Sequence, residues 1–127
     1  MDEPLLRAQG PRRPRRGRLS RSAEFERAYR QGRSHANRHL VVYAFARDAG
    51  AQPRLGVSVS RKVGGAVDRN RLKRLLREAY DAELALVPEG HDVVVVARPS
   101  SRELADREGL DGVRAALREL LGKAARA

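Results

Sequence analysis

The chain has 127 residues, with 27 lysine and arginine side chains against 16 acidic ones and a formal net charge of +11. This length allows one domain with a single core, and the absence of cysteine excludes disulfides and thiolate metal sites. No apolar run approaches the roughly 20 residues of a membrane span, and the N-terminus has no apolar signal-peptide core. We therefore expect a cytoplasmic protein with no membrane partner.

The first 18 residues differ in composition from the rest of the chain. They contain three prolines, two glycines and six arginines, and they show no apolar periodicity. We predict that residues 1–18 form a disordered basic arm. The arm is either a passive solubilising tail or a contact for phosphates, since both roles require the same composition.

A short helix is predicted next, with Ser22 as its cap and Gly32 at its end. Phe25, Ala28 and Tyr29 share one face of this helix. Spacing alone favours core packing for that face. However, two aromatic side chains four residues apart in a basic chain can also stack on unpaired bases.

Two strands are predicted after this helix. Residues 40–46, LVVYAFA, have strand-forming side chains, with Tyr43 and Phe45 on one side. Residues 55–60 predict a second strand, in which apolar residues alternate with small ones. Small residues on an open sheet face would form a groove for an extended nucleic-acid strand, whereas under a protein layer they would only pack. The small face consists of Gly56, Ser58 and Ser60.

Residues 61–78, RKVGGAVDRNRLKRLLRE, are the most informative stretch. Gly64 and Gly65 predict a turn, because glycine adopts positive φ without a steric penalty. Asp68 is expected to cap the helix that follows by accepting hydrogen bonds from its first N–H groups. The apolar face of this helix consists of Leu72, Leu75, Leu76 and Ala79. Its polar, cationic face consists of Asn70, Lys73, Arg74 and Arg77, flanked by Arg69 and Arg71.

This cationic face favours binding to a polyanion. No acidic side chain lies between Arg69 and Arg77, whereas a helix charged only for solubility usually mixes signs. The charge is also concentrated early, since residues 1–77 hold 20 basic and 6 acidic side chains while residues 78–127 hold 7 and 10. Free N–H groups at the start of the helix further attract phosphate. Nucleic acid is therefore the favoured partner.

The last third of the chain predicts one strand and one helix. Residues 92–97, DVVVVA, follow a turn at residues 88–90 and predict a fully buried strand. A strand, the basic helix and this strand form a βαβ crossover, so the two strands are expected to be parallel neighbours. Residues 99–107 are predicted to be irregular. A final amphipathic helix around residues 113–121 is expected to lie outside the cationic region.

No constellation of side chains predicts catalysis or a metal site. His35 and His39 are four residues apart, but no predicted helix presents both and no third ligand is nearby. A phosphate-cradling loop of the nucleotide-hydrolase kind is absent. A two-metal nuclease needs converging carboxylates, and the acidic residues are expected to lie away from the basic face. We therefore predict a binding protein with no catalytic residues.

Two stretches carry a family resemblance: AEFERAYRQGRSHANRHLVVYAF and RLGVSVSRKVGGAVDRNRLKRLLREAY. They closely resemble the protein subunits of bacterial ribonuclease P, and the likeness covers about residues 19–123. We therefore predict one RNA-binding domain over residues 19–123, followed by a tail at residues 124–127. The resemblance is most specific at Arg69-Asn70-Arg71 followed by Lys73, Arg74 and Arg77. It departs from the family where Tyr29 replaces a common phenylalanine and where the arm is longer.

The resemblance implies an α/β (α+β) two-layer sandwich with the order α-β-β-β-α-β-α and an unusual left-handed βαβ crossover. The same fold occurs in a domain of a small-subunit ribosomal protein. Only two early strands are clear in the sequence, so the third is expected near residues 34–39. The resemblance also favours nucleic-acid stacking over core packing for Phe25 and Tyr29.

The function implied by the resemblance is assistance to an RNA catalyst. The ribonuclease P holoenzyme hydrolyses one phosphodiester to remove the 5′ leader of precursor tRNA, using RNA and Mg²⁺ held mainly by that RNA, and no further protein partner is obligatory. The catalytic RNA would be bound by Arg61, Lys62, Arg69, Asn70, Arg71, Lys73, Arg74 and Arg77. The leader would lie in a cleft formed by Phe25, Tyr29, Val41, Tyr43, Ser58, Ser60 and Lys62.

Three alternatives stay open. A structural RNA-binding protein of ribosomal type would have the same charge and size. A self-sufficient nuclease would cleave precursor tRNA without an RNA subunit. A DNA-binding regulator would insert its basic helix into a major groove.

Overall fold

The computed structural model describes residues 22–47 and 52–126. The basic arm predicted for residues 1–18 lies outside the described residues. The elements are α1 (Ser22–Gln31), β1 (Arg33–Ala36), β2 (Leu40–Ala46), β3 (Arg54–Ser58), α2 (Ala66–Ala82), a 3₁₀ turn (Leu84–Leu86), β4 (His91–Ala97) and α3 (Ser100–Arg126). This order confirms the α-β-β-β-α-β-α sequence of elements implied by the resemblance.

The four strands form one sheet in the order β1-β2-β4-β3. β1 pairs antiparallel with β2, and β2 pairs antiparallel with β4. β3 and β4 are parallel neighbours joined through α2, which confirms the predicted crossover. The left-handed sense of this crossover stays an implication of the resemblance.

Helices α2 and α3 cover one face of the sheet and form the main core with it. The residues of β2 and β4 that point to this face are almost fully buried, as strand alternation requires. The apolar stripe of α2 packs against them, which confirms the predicted dry side of the helix. The core includes Val42, Val93, Val95, Leu72, Leu76, Leu117, Leu120 and Leu121.

The opposite face of the sheet carries only α1 among the described elements. Ala28 is 1% exposed and packs on Val94, which is 0% exposed. The aromatic side chains Phe25, Tyr43 and Phe45 are partly buried around this contact. α1 therefore sits on the sheet through one close contact and an aromatic rim.

The early strand that was unclear in the sequence is β1, which ends earlier than residue 39. It stops at Ala36 because Asn37 forms a tight turn. Asn37 Oδ1 accepts hydrogen bonds from the backbone N–H groups of His39 (3.0 Å) and Leu40 (2.9 Å). These bonds satisfy the amides where the chain reverses into β2.

The start of α2 differs from the prediction. The helix begins at Ala66, two residues before Asp68, and its N-cap is Gly65, which makes no side-chain capping bond. Asp68 lies in the first turn, and its Oδ2 is 3.6 Å from Arg102 Nε. It is therefore not the cap; its negative charge in the first turn still suits the helix dipole.

The prediction of irregular structure over residues 99–107 was wrong. Helix α3 begins at Ser100, and its one interruption is Gly109, with φ 59° and ψ −144°. The break rotates the first half of α3 relative to the second, so Leu104 and Ala105 do not continue the apolar periodicity that begins at Val113. A sequence scan for one continuous period therefore misses the first half.

Candidate nucleic-acid interface

The cationic face of α2 is turned away from the core. Asn70 and Arg74 are exposed, and Lys73 and Arg77 are partly exposed on the same side. Leu72 is 1% exposed on the opposite side of the helix. The predicted division of α2 into a dry side and a cationic side is thus present in the fold.

The loop before α2 extends this positive surface. Arg61 and Lys62 are both exposed between β3 and α2. Lys62 also lines a surface hollow of about 390 Å³ against the start of α3. Arg69 and Arg71 are partly buried at the first turns of the helix, where free backbone N–H groups also favour an anion.

The acidic residues do not all lie away from the basic face, contrary to expectation. Arg71 Nη2 forms an ion pair with Asp106 Oδ1 on α3. A second pair joins Arg102 on α3 to Asp68 on α2. The first half of α3 therefore lies beside the cationic region and partly neutralises it, because this segment is helical and packs along α2.

The α1 face of the sheet has an open groove next to the helix. Val41, Val96 and Ser58 form one row across β2, β4 and β3, as the strand registers show. All three side chains are partly exposed, whereas the adjoining row at Val94 is buried under Ala28. The row of three is thus the floor of a groove, and α1 is its wall.

Two aromatic side chains of α1 form the wall of this groove. The rings of Phe25 and Tyr29 lie 6.4 Å apart, centroid to centroid. The Tyr29 ring meets Tyr43 of β2 edge-on at 4.9 Å. Tyr29 remains 39% exposed, so its ring is available to a ligand, whereas Phe25 also packs against the sheet.

The groove leads directly into the basic loop. Ser58 ends β3, and the exposed residues Ser60 and Lys62 follow it toward α2. Most of the predicted cleft residues therefore lie on the α1 face of the sheet, namely Phe25, Tyr29, Val41, Tyr43 and Ser58. Lys62 instead lines the hollow beside the start of α3. Val96 was missed in the sequence, because the run of valines at residues 93–96 predicted a fully buried strand, whereas the structure leaves Val96 partly exposed next to the buried Val95.

A network of four charged side chains connects α1 to the sheet. Asp92 of β4 is 3% exposed and accepts hydrogen bonds from Arg47 Nε (3.0 Å), Arg54 Nε (3.0 Å) and Arg54 Nη2 (2.7 Å). Burial raises the pKa of Asp92, but the hydrogen bonds from Arg54 and Arg47 outweigh it and leave the pKa below its ordinary value. Arg54 Nη1 also donates to Glu24 Oε2 of α1 at 2.9 Å.

His39, one of the two histidines considered as a metal pair, contacts helix α3. His39 Nδ1 is 2.9 Å from Ser100 Oγ, which ties the β1–β2 turn to α3. Across residues 22–47 and 52–126, no group of three or more histidine or acidic side chains could hold a metal ion. The same residues include no helix long and apolar enough to cross a membrane.

A family model for ribonuclease P matches residues 14–124 of the chain. The chain belongs to the ribonuclease P protein family. The ribonuclease P protein component of Clostridium botulinum (strain Langeland) is 44% identical over 107 residues, which is 84% of this chain and 92% of the relative. That of Bacillus pumilus is 40% identical over 93 residues, or 73% and 78% of the two chains.

Solved structures of ribonuclease P proteins have the same fold. The protein from Thermotoga maritima is similar with a TM-score of 0.76 at 34% identity, over 85% of this chain and 97% of that one. The protein from Staphylococcus aureus has a TM-score of 0.76 at 33% identity, over 87% and 96%. As a member of the ribonuclease P protein family, the chain is a component of an endoribonuclease that acts in tRNA processing, and its partner is ribonuclease P RNA.

Proposed function

We propose that the cationic face of α2 binds ribonuclease P RNA and that the groove beside α1 binds the single-stranded 5′ leader of precursor tRNA. The RNA would cleave the substrate with the help of Mg²⁺. The observation that carries this proposal is the continuity of the two surfaces. The groove floor ends at Ser58, and the chain passes within four residues through Ser60 to Lys62 and on to α2.

The α2 surface suits a folded RNA. Its cations would displace the counterions that surround phosphates, so that binding is strong at low salt and weakens as salt increases. A rigid helix also holds these side chains at set spacings, which suits a fixed RNA backbone. Arg61 and Lys62 would extend the contact from the loop.

The groove suits an unpaired strand. The partly exposed ring of Tyr29 offers a stacking surface, and stacking on an aromatic side chain tolerates any base. Ser58, the small residue of the floor, allows the strand to approach the sheet closely at the β3 edge. Lys62 at the end of the groove would contact a leader phosphate.

The chemistry of cleavage is assigned to the RNA. A two-metal phosphodiester cleavage needs carboxylates that converge on one point. Several acidic side chains of the described residues are instead used in ion pairs, such as Glu83 with Arg118 at 3.4 Å and Asp92 with Arg54 at 2.7 Å. The protein would therefore contribute affinity for the substrate, and its cations would reduce repulsion between two polyanions.

Reconstitution with ribonuclease P RNA tests this proposal. We expect the protein to lower the KM for precursor tRNA that carries a leader, and to lower it much less for a substrate without one. A structural RNA-binding protein would not distinguish the two substrates. Cleavage by RNA-free protein in Mg²⁺ would contradict the proposal, and so would tighter binding to duplex DNA than to ribonuclease P RNA at one salt concentration.

A further inference from the structure

The orientation of Arg54 is determined by a buried partner. Two of its nitrogens, Nε and Nη2, bind the two carboxylate oxygens of Asp92, which is 3% exposed. Such a two-point contact restrains the plane of the guanidinium group. The remaining nitrogen, Nη1, therefore has a set position at the surface of the sheet, where Glu24 of α1 accepts its hydrogen bond.

The other contacts between helix α1 and the sheet are apolar and aromatic: Ala28 packs on Val94, Phe25 packs against the sheet, and Tyr29 meets Tyr43. The helix has ten residues, and Ala28 is the one buried among them. Helices of this length are marginal by themselves in water. Arg27 adds a contact with the ring of Phe45, with its guanidinium carbon 5.3 Å from the ring centroid. The ion pair between Glu24 and Arg54 adds a directional, charged contact at the first turn of α1, where the aromatic contacts alone would allow the helix to shift.

The position of α1 determines the geometry of the groove. Phe25 follows Glu24 in the sequence, and Tyr29 lies one turn further along the same face. A small rotation of the helix at Glu24 would change the distance between these rings and the floor at Val41 and Ser58. The width of the groove is therefore coupled to the Glu24–Arg54 contact.

We infer that the ion pair between Glu24 and Arg54 fastens α1 over the sheet and sets the width of the leader groove. Both are positioning residues, because they act through the aromatic rings and do not line the groove floor. This inference rests on the proposed function, since it assigns a role in leader binding to side chains that contact only protein.

The test is Glu24→Gln in the reconstituted holoenzyme, with Glu26→Gln as a matched control. Glu26 is on the same helix, its side chain is 71% exposed, and it lies 3.9 Å from Arg30 and not against the sheet. Each substitution removes one negative charge. If charge alone mattered, both would strengthen binding of a polyanion and lower KM.

We expect Glu24→Gln to raise the KM for leader-bearing precursor tRNA by about two- to fivefold, the range set by a partly exposed ion pair. The kcat and the KM for a substrate without a leader should not change. For Glu26→Gln, the KM for leader-bearing precursor tRNA should be unchanged or slightly lower than that of the wild type. A Glu24→Gln variant that keeps the wild-type KM for the leader-bearing substrate overturns the inference.

Hydrogen exchange of the free protein supplies a readout without substrate. Glu24→Gln should speed amide exchange in α1 relative to β2 and β4, and Glu26→Gln should not. If the wild-type holoenzyme shows no preference for a substrate with a leader, the proposed function fails. The role of the Glu24–Arg54 ion pair in holding α1 is then judged by hydrogen exchange alone, and unchanged exchange in α1 of Glu24→Gln overturns it. An equal loss of protection throughout the sheet would indicate general destabilisation, which overturns it as well.

Discussion

Arg71 on α2 forms an ion pair with Asp106 on α3, so the helix with the cationic face is partly neutralised by the helix packed beside it. The two residues are 35 positions apart in the chain. Their contact means that a phosphate approaching Arg71 must compete with a carboxylate that is already there.

Replacing Asp106 by asparagine should therefore strengthen binding to ribonuclease P RNA. The expected gain is about two- to fivefold in Kd at low salt, because a half-exposed ion pair contributes up to about 1 kcal/mol. Titration of labelled RNA with each variant measures this. Asp111→Asn is the matched control, since Asp111 is exposed on the same helix and carries the same charge. Weaker binding by Asp106→Asn would show that the carboxylate orients Arg71 for the RNA.

Arg74→Ala should weaken binding to ribonuclease P RNA and reduce its dependence on salt. Each lost phosphate contact lowers the log–log slope of affinity against salt by about 0.7–0.9. Measurements of Kd at four or more salt concentrations give the slope. Arg118→Ala serves as the control, because Arg118 lies on α3 and pairs with Glu83 at 3.4 Å. An unchanged slope for Arg74→Ala would mean that this side chain contacts no phosphate.

Tyr29→Ala should raise the KM for leader-bearing precursor tRNA, whereas Tyr29→Phe should not. Loss of one stacked base costs about 1–3 kcal/mol, and phenylalanine keeps the π-face. The ring is 39% exposed but also contacts Tyr43, so a urea unfolding curve of Tyr29→Ala is needed to separate lost stability from lost stacking. Steady-state kinetics of both variants on substrates with and without a leader test this. Equal effects of Tyr29→Ala on the two substrates would contradict a stacking role.

Asp92→Asn should destabilise the protein and reduce the dependence of its stability on pH. The folded-state pKa of Asp92 lies below its ordinary value of 3.8, so its charge stabilises the fold fully above that value. The stabilisation is lost as pH falls through the lower folded pKa. At neutral pH we expect a loss at or below about 3 kcal/mol, because Arg47 and Arg54 retain partial solvent contact.

Urea unfolding at neutral pH and at several acidic pH values measures this difference. The free energy of unfolding of Asp92→Asn should approach that of the wild type as pH falls below the ordinary pKa. Asp111→Asn is again the control, because it removes the same charge from an exposed position, and its unfolding is measured at the same pH values. If the free energy of unfolding changed with pH in the same way for wild type and Asp92→Asn, the Asp92 carboxylate would not be the cause of the loss of stability in acid.

Local patterns in the sequence determined several features of this protein without help from the fold. The limits of β2 follow from the run of strand-forming residues at 40–46, and the structure has the same limits. The turn before β4 follows from Gly90, which adopts φ 75°. The dry and cationic sides of α2 follow from its three- and four-residue periodicity. Each of these depends on neighbours within about one helical turn or one strand.

Other features were decided only by the tertiary structure, because they depend on which distant segments meet. The pairing register of β2, β4 and β3 places Val96 in the groove floor between Val41 and Ser58. The left-handed backbone at Gly109 lets residues 100–108 be helical and brings Asp106 to Arg71. Glu24 and Arg54 meet across 30 positions. Short-range periodicity contains no information about such contacts, since packing and strand pairing between remote segments determine them.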